Sequence, residues 1–376
     1  MTLYILIFVS IVLLGMFDTY IEDDPDSVRF KQIFTIIILI FISFVSGTRL
    51  VGGSDYKLYA KSYSYIPTIS QVLAGTKLNG DFYSQSFDLG YLLITCLFKS
   101  IGIPFKGFTL IHSLFFNFAM YFGLKKYCKN FSVVLLVFIC KLFFYNTFIS
   151  MRQSITIAIF FLSLPLIENR QFIKYLIICI LCFFLHAGSI IMLPVYFINY
   201  IHLTKRKIIY FIAILSPFAI INMIHIDIIT PIFHLLGTVL SGSVIGAKFL
   251  TYAGGEAISP IYLLEFWAIA TIFILNYDEI MNYEHSDLVV KMFLILYIIF
   301  TILGGVSVIT REKDYFILSY AVLLYWIMTV QQGRFRNIIF VILCLASGFE
   351  FFRYIIAFDN SSLLKYSSWL FNLFLS

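Results

Sequence analysis

Apolar runs of roughly 17 to 22 residues recur along this chain, each close to the length an α-helix needs to cross the hydrocarbon core of a bilayer. Short polar turns separate them. The pattern predicts spans over 3–17, 30–47, 105–122, 131–148, 152–167, 172–186, 188–201, 207–224, 260–276, 288–309, 314–330 and 336–356. A further segment, 88–101, is broken by Lys99 and followed by Gly102 and Pro104. It is short for a span and reads as a re-entrant or interfacial helix. The expected fold is an all-α polytopic integral membrane protein with about 12 transmembrane helices plus that short helix. No internal repeat, low-complexity tract or linker divides residues 1–376, which read as a single transmembrane domain.

Composition reinforces the pattern. Hydrophobic residues make up 61% of the chain, charged residues 12%, and the mean hydropathy is +0.96. A soluble domain of this length could not cover such a surface with its polar groups. The formal charge of +6 follows from short basic clusters between spans, so it speaks for membrane topology and against nucleic-acid binding. The first span lacks a basic leading region and a small-residue cleavage site, and reads as a retained helix. Cys179 and Cys182 have C-x-x-C spacing inside an apolar helix with no histidine or carboxylate beside them. They read as small buried hydrophobes.

Basic turns orient the spans. Lys125, Lys126 and Lys129, then Arg170 and Lys174, then Lys205, Arg206 and Lys207 lie two spans apart from one another and agree on a cytoplasmic side. The same count puts Arg152, His186, the segment 225–259 and Arg311 on the outer side. With 88–101 re-entrant, the segment 48–104 also falls outside. Arg152 opens and His186 closes a helical hairpin whose turn is Glu168-Asn169-Arg170-Gln171. Both therefore reach one membrane surface, where charge is costly unless it meets water, a partner or a substrate.

The candidate chemistry gathers on that face. Arg49, Arg152 and Arg311 each stand where an apolar helix meets the outer surface, where basic residues are normally scarce. A guanidinium stays charged and matches phosphate with two parallel hydrogen bonds, so the three could bind an anion. Snorkelling to headgroups, or pairing with Asp55, Glu312 or Asp314, is the simpler alternative for each. His186 could serve as a general base, or merely bond a backbone carbonyl at its helix end. Tyr56, Tyr59 and Tyr63 share one face of a short helix and could stack sugar rings, or belong to an interfacial aromatic belt. The acidic run Glu22-Asp23-Asp24-Pro25-Asp26 reads as a solvated loop and not as a metal site. Mid-span carboxylates are few, Glu265 and Glu350 being the clearest, where a proton-coupled transporter would carry more. No phosphate-binding loop, dinucleotide fingerprint, zinc-protease helix or nucleophile elbow occurs.

Four stretches together resemble the EpsG/Wzy family of polysaccharide (O-antigen) polymerases. They are Thr48-Arg49-x-x-Gly52-Gly53-x-Asp55-Tyr56-x-x-Tyr59-x-x-x-Tyr63, Phe148-x-x-Met151-Arg152-Gln153-x-x-x-x-Ala158, Phe184-Leu185-His186-Ala187-Gly188-Ser189 and Arg311-Glu312-Lys313-Asp314-Tyr315-Phe316. The third departs from the family's pattern, which more often has serine or threonine two residues after the histidine and then alanine. The resemblance implies a glycosyltransferase of the bacterial inner membrane that joins undecaprenyl-diphosphate-linked repeat units at the outer face and releases lipid diphosphate. Arg49, Arg152 and Arg311 would hold the diphosphate, and His186, or else Asp55, would deprotonate the acceptor hydroxyl. No cofactor or metal is implied. Membrane lipids and a chain-length regulator protein are the expected partners, and no nucleic acid. A ligase or acyltransferase on the same glycans, or a flippase for an anionic glycolipid, are the alternatives.

Overall fold

The computed structural model describes residues 1–50, 54–85, 87–223, 229–240, 260–302, 311–357 and 361–370. The first helices are α1 (Thr2–Tyr20), α2 (Pro25–Gly47), α3 (Ser54–Tyr65), α4 (Ile69–Leu73), α5 (Leu89–Ser100) and α6 (Phe105–Leu124). Then come α7 (Ser132–Phe138), α8 (Met151–Glu168), α9 (Phe172–Leu185), α10 (Met192–Ile198), α11 (Lys205–Met223) and α12 (Ile229–Val239). The last are α13 (Pro260–Leu275), α14 (Tyr277–Met281), α15 (Ser286–Thr301), α16 (Ile317–Val330) and α17 (Gly333–Ala357). The described residues contain no strand, only one isolated bridge between Arg49 and Ser368. Among the described residues, six helices are long and apolar enough to cross a membrane, and shorter apolar helices accompany them. This is an all-α polytopic membrane protein. The short helix expected near 88–101 is α5, whose 12 residues rise about 18 Å, well under the ~30 Å hydrocarbon core.

The chain folds into two compact units. One comprises Met1–Leu193 with Gln332–Ser376, the other Pro194–Gln331. In the first unit α2, α6 and α8 pack side by side, and α9 packs on α8. Lipid tails are as apolar as leucine, so this association rests on close approach and interhelical hydrogen bonds, the latter about 0.6 kcal/mol each. Both are present. A Cβ on Gly47 would come within 2.7 Å of the Leu110 backbone, so only glycine lets α2 and α6 meet there. A buried polar seam runs along the same contact. Ser46 and Ser113 share a hydrogen bond, Asn117 Nδ2 donates to Ser43 Oγ at 2.8 Å, and Thr109 donates to the Gly47 carbonyl at 2.9 Å.

Several sequence expectations acquire a structural role here. The acidic run starts α2: Asp24 is its N-cap and accepts the Ser27 N–H at 2.7 Å, with Pro25 at the first helical position. Asp23 bridges Lys31 and Lys129 at 2.8 and 3.1 Å. The mid-span acid Glu350 pairs with Lys141 at 3.1 Å, which offsets the cost of burying either charge in an apolar bundle. In the second unit Glu265 accepts a hydrogen bond from Tyr320. Cys179 and Cys182 are buried thiols on α9. The expected span 131–148 is α7 followed by two π-helical turns, Ile139–Phe143 and Tyr145–Ile149. Such turns re-aim the chain that follows, here the start of α8.

Candidate functional site

Arg152 lies in the first turn of α8, immediately after the π-helical turns. Its Nη1 donates to Asp88 Oδ2 at 2.7 Å, and its Nε donates to the Tyr59 hydroxyl at 3.4 Å. The guanidinium also sits 4.8 Å over the Phe87 ring. Both partners of the ion pair are half-buried, with 23% and 25% of their side chains exposed. Asp88 is the N-cap of α5, yet its carboxylate makes no cap hydrogen bond to its own helix. An aspartate there normally accepts an N–H of the first turn. The ion pair with Arg152 displaces that local preference.

Beneath the pair lies an aromatic floor. Tyr59 stacks on Phe87 at 5.0 Å and meets Tyr91 edge-on at 5.5 Å. Tyr63 packs on Phe105 and Phe108 and donates its hydroxyl to the Ile103 carbonyl at 2.7 Å. Tyr56, Tyr59 and Tyr63 are all buried, and burial raises each phenol above its ordinary pKa, Tyr63 to about 12. The three tyrosines expected to stack sugar rings pack here against protein side chains. The exposed aromatics of this segment are Tyr65 and Phe82, both packed on the half-buried Tyr83, Tyr65 stacking on it at 5.5 Å.

Arg49 is placed very differently. It is fully buried, held between the rings of Tyr56 at 4.7 Å and Phe148 at 4.8 Å. It donates to the carbonyls of Ser46 and Phe148, and its Nε has no partner. Burial lowers its pKa to about 10, so it stays charged at neutral pH. A C-terminal strap covers it: Leu50 N donates to Ser367 O at 2.8 Å, Trp369 N to Thr48 O at 3.0 Å, and the Thr48 and Ser368 hydroxyls bond at 2.6 Å. Arg49, one of the three arginines expected to hold a diphosphate, is thus enclosed by aromatic rings and the strap.

His186 ends α9. Its backbone is extended, its N–H donates to Cys182 O at 2.8 Å, and its carbonyl accepts from Ser189 N at 3.0 Å. It is half-buried. α5 connects it with the ion pair. A Cβ on Gly90, two residues beyond Asp88, would come within 2.7 Å of the Phe184 carbonyl, so the start of α5 lies against the end of α9. Asp55 is half-buried in the first turn of α3. Arg311 belongs to the second unit and is exposed, with Glu312 and Asp314 buried beside it in sequence. Gly52 and Gly53 of the first resembling stretch, and 225–228 and 241–259 of the outer segment, lie outside the described residues.

Two residues near Arg152 escaped the sequence reading. Asp88 looked like an ordinary helix-starting residue, and its partner lies 64 positions away. His112, in the middle of the apolar α6, is buried, and its Nε2 contacts Ser154 Oγ at 2.7 Å and Met151 O at 3.1 Å. It braces the first turn of α8 from behind. A lone histidine among Ile111, Ser113 and Leu114 carried no pattern to mark it.

These features define a polytopic helical membrane protein with a guanidinium–carboxylate pair set over aromatics at one end of a helix bundle. The chain belongs to the EpsG family, which it matches over residues 32–368, and the members of that family are Wzy-type polymerases. Membership assigns it, at the general level, a glycosyltransferase-like polysaccharide polymerase function in a membrane. No curated protein and no solved structure matches the chain.

Proposed function

We propose that this protein polymerises undecaprenyl-diphosphate-linked oligosaccharide repeat units into O-antigen or exopolysaccharide at the outer face of the bacterial inner membrane. The observation that carries the proposal is Arg152: half-buried, paired with Asp88, and in the first turn of an 18-residue helix. The positive end of the α8 dipole adds to its field, and both favour a diphosphate. In the reaction, the acceptor hydroxyl attacks the anomeric carbon of the donor glycan. The bond from that carbon to the diphosphate oxygen breaks, and lipid diphosphate leaves with the electron pair.

Arg152 binds the departing diphosphate and stabilises the charge that develops on it. Asp88 positions the guanidinium. His186 accepts the acceptor's proton, with Asp55 as the second candidate base. Arg49 contributes the field of a buried cation, and Tyr65, Tyr83 and Phe82 offer the stacking surface for sugars. No metal is required, because the lipid diphosphate is already a good leaving group.

A deletion strain tests the proposal. Its lipid-linked or lipopolysaccharide-bound glycan should carry single repeat units without a ladder, and the wild-type gene should restore the ladder. Loss of every repeat from the outer face would instead identify a flippase. Topology is tested by cysteine labelling at the exposed Lys77; accessibility from the cytoplasm alone would overturn the outer-face assignment.

A further inference from the structure

The opposite end of the first unit holds a cavity of about 220 Å³ between the start of α2 and the end of α6. Lys31, Gln32 and Thr35 line it from α2, Tyr121 from α6, and Lys125 and Lys129 from the turn that follows. Gly47, beside Arg49, comes sixteen residues after Lys31 on α2, about 24 Å along the helix axis. The cavity and the Arg152 site are therefore separated by most of a bilayer's hydrocarbon thickness.

Its charge is unbalanced. Asp23 serves two of the lysines, at 2.8 Å from Lys31 and 3.1 Å from Lys129. Lys125 has no carboxylate partner among the described residues, and its ammonium lies 4.9 Å over the Phe122 ring. Asp18 is buried close enough to Lys31 to feel its charge, and accepts the Ser132 N–H at 3.2 Å. Lys31 and Lys129 share the carboxylate of Asp23, and Lys125 brings a third ammonium to the cavity. The Gln32 amide adds neutral donors.

We propose that this cavity binds the phosphate headgroup of an anionic membrane lipid. Compact ammonium groups suit phosphate as point charges, and basic pockets between helices at the cytoplasmic side are where such headgroups dock. The surroundings favour a lipid over a soluble phosphate. Ile33 and Ile36 on α2 and Phe122 on α6 are exposed apolar side chains next to the lining residues. An acyl chain can run along them while its headgroup sits among the lysines. Lys31 is nearly fully buried, so the headgroup meets a charge held in place and shielded from salt.

The test uses the full chain in nanodiscs and does not depend on polymerase activity. Thermal unfolding is measured in phosphatidylcholine alone and with phosphatidylglycerol added, and in detergent with inorganic phosphate. Wild type should be stabilised by phosphatidylglycerol, as a ligand of the folded state must do. The double variant Lys125→Gln, Lys129→Gln alters exposed side chains and leaves the Lys31–Asp23 pair intact. It should need at least tenfold more phosphatidylglycerol for the same shift, whereas Lys57→Gln at the other end should behave as wild type. An equal shift in the double variant, or no shift in wild type, overturns the site. An equal stabilisation by inorganic phosphate overturns the lipid as its occupant.

Discussion

The two ends of the first unit hold different cations in different surroundings. At one end, Arg49 and Arg152 lie against aromatic rings and at helix termini, and only Arg152 has a carboxylate, the half-buried Asp88. At the other, Lys31, Lys125, Lys126 and Lys129 sit on turns and helix ends, three of them in ion pairs with Asp23 or Glu168. A guanidinium is weakly hydrated, planar and able to stack, so it can be buried between rings. An ammonium is strongly hydrated and stays near water or a carboxylate. The contrast teaches that side-chain chemistry decides how far a cation can be enclosed: Arg152 is held from several sides by Asp88, Tyr59 and Phe87.

Arg152→Ala is the sharpest way to break this contrast. Polymer ladder formation should fall at least ~100-fold, the scale of losing one preorganised charge stabiliser, with membrane protein level unchanged. Arg152→Lys keeps the charge but loses the fork and the stacking, and should recover only a small part. Normal polymerisation in Arg152→Ala would remove the assigned site. Arg49 tests burial itself. Arg49→Ala should lower unfolding stability by about 2–4 kcal/mol, through the gap left between Tyr56 and Phe148. Arg49→Met fills that space without a buried charge and should be as stable as wild type or more so. Polymerisation that stays low in a stable Arg49→Met would assign Arg49 an electrostatic role.

Smaller effects sharpen the picture around α5. Asp88→Asn should cost about tenfold in activity, or ~1.4 kcal/mol in the barrier, with an apparent substrate affinity that changes more than stability. Asp88→Glu should rescue part of it, which a purely structural role would not require. Gly90→Ala drives a methyl into the Phe184 carbonyl and should cost about 1–3 kcal/mol of stability, with lower activity if the α5–α9 contact aligns His186 with Arg152. Tyr65→Ala should leave the protein stable and shorten the ladder by a few-fold in mean length. An unchanged ladder there would dismiss the exposed aromatics as a sugar surface.

Much of the fold is legible in the chain's own pattern. Repeated apolar lengths force the helices, since a backbone in lipid must satisfy its own hydrogen bonds. The brevity of the segment at 88–101 foretells α5. Reading the acidic run as a solvated loop misses that Asp24 caps α2 and that Asp23 joins Lys31 to Lys129, although an aspartate before a proline-led helix is a local signal. The site is half legible. Arg152 and His186 stand out because polar residues at the ends of apolar helices are costly. Asp88 and His112 do not, since nothing local distinguishes an aspartate before a helix, or one histidine within it.

The sequence by itself determined the membrane class, most helix positions and the residues able to carry charge, because lipid imposes those through length and hydropathy alone. Only tertiary structure decided which arginine is reachable. Arg49 and Arg152 look alike in sequence, each beside an apolar span and an aromatic. Packing buried one under the Thr48–Ser368 strap and left the other half-exposed beside Asp88. Burial and partner choice depend on segments 64 and more than 300 residues away, which meet only when the helices pack.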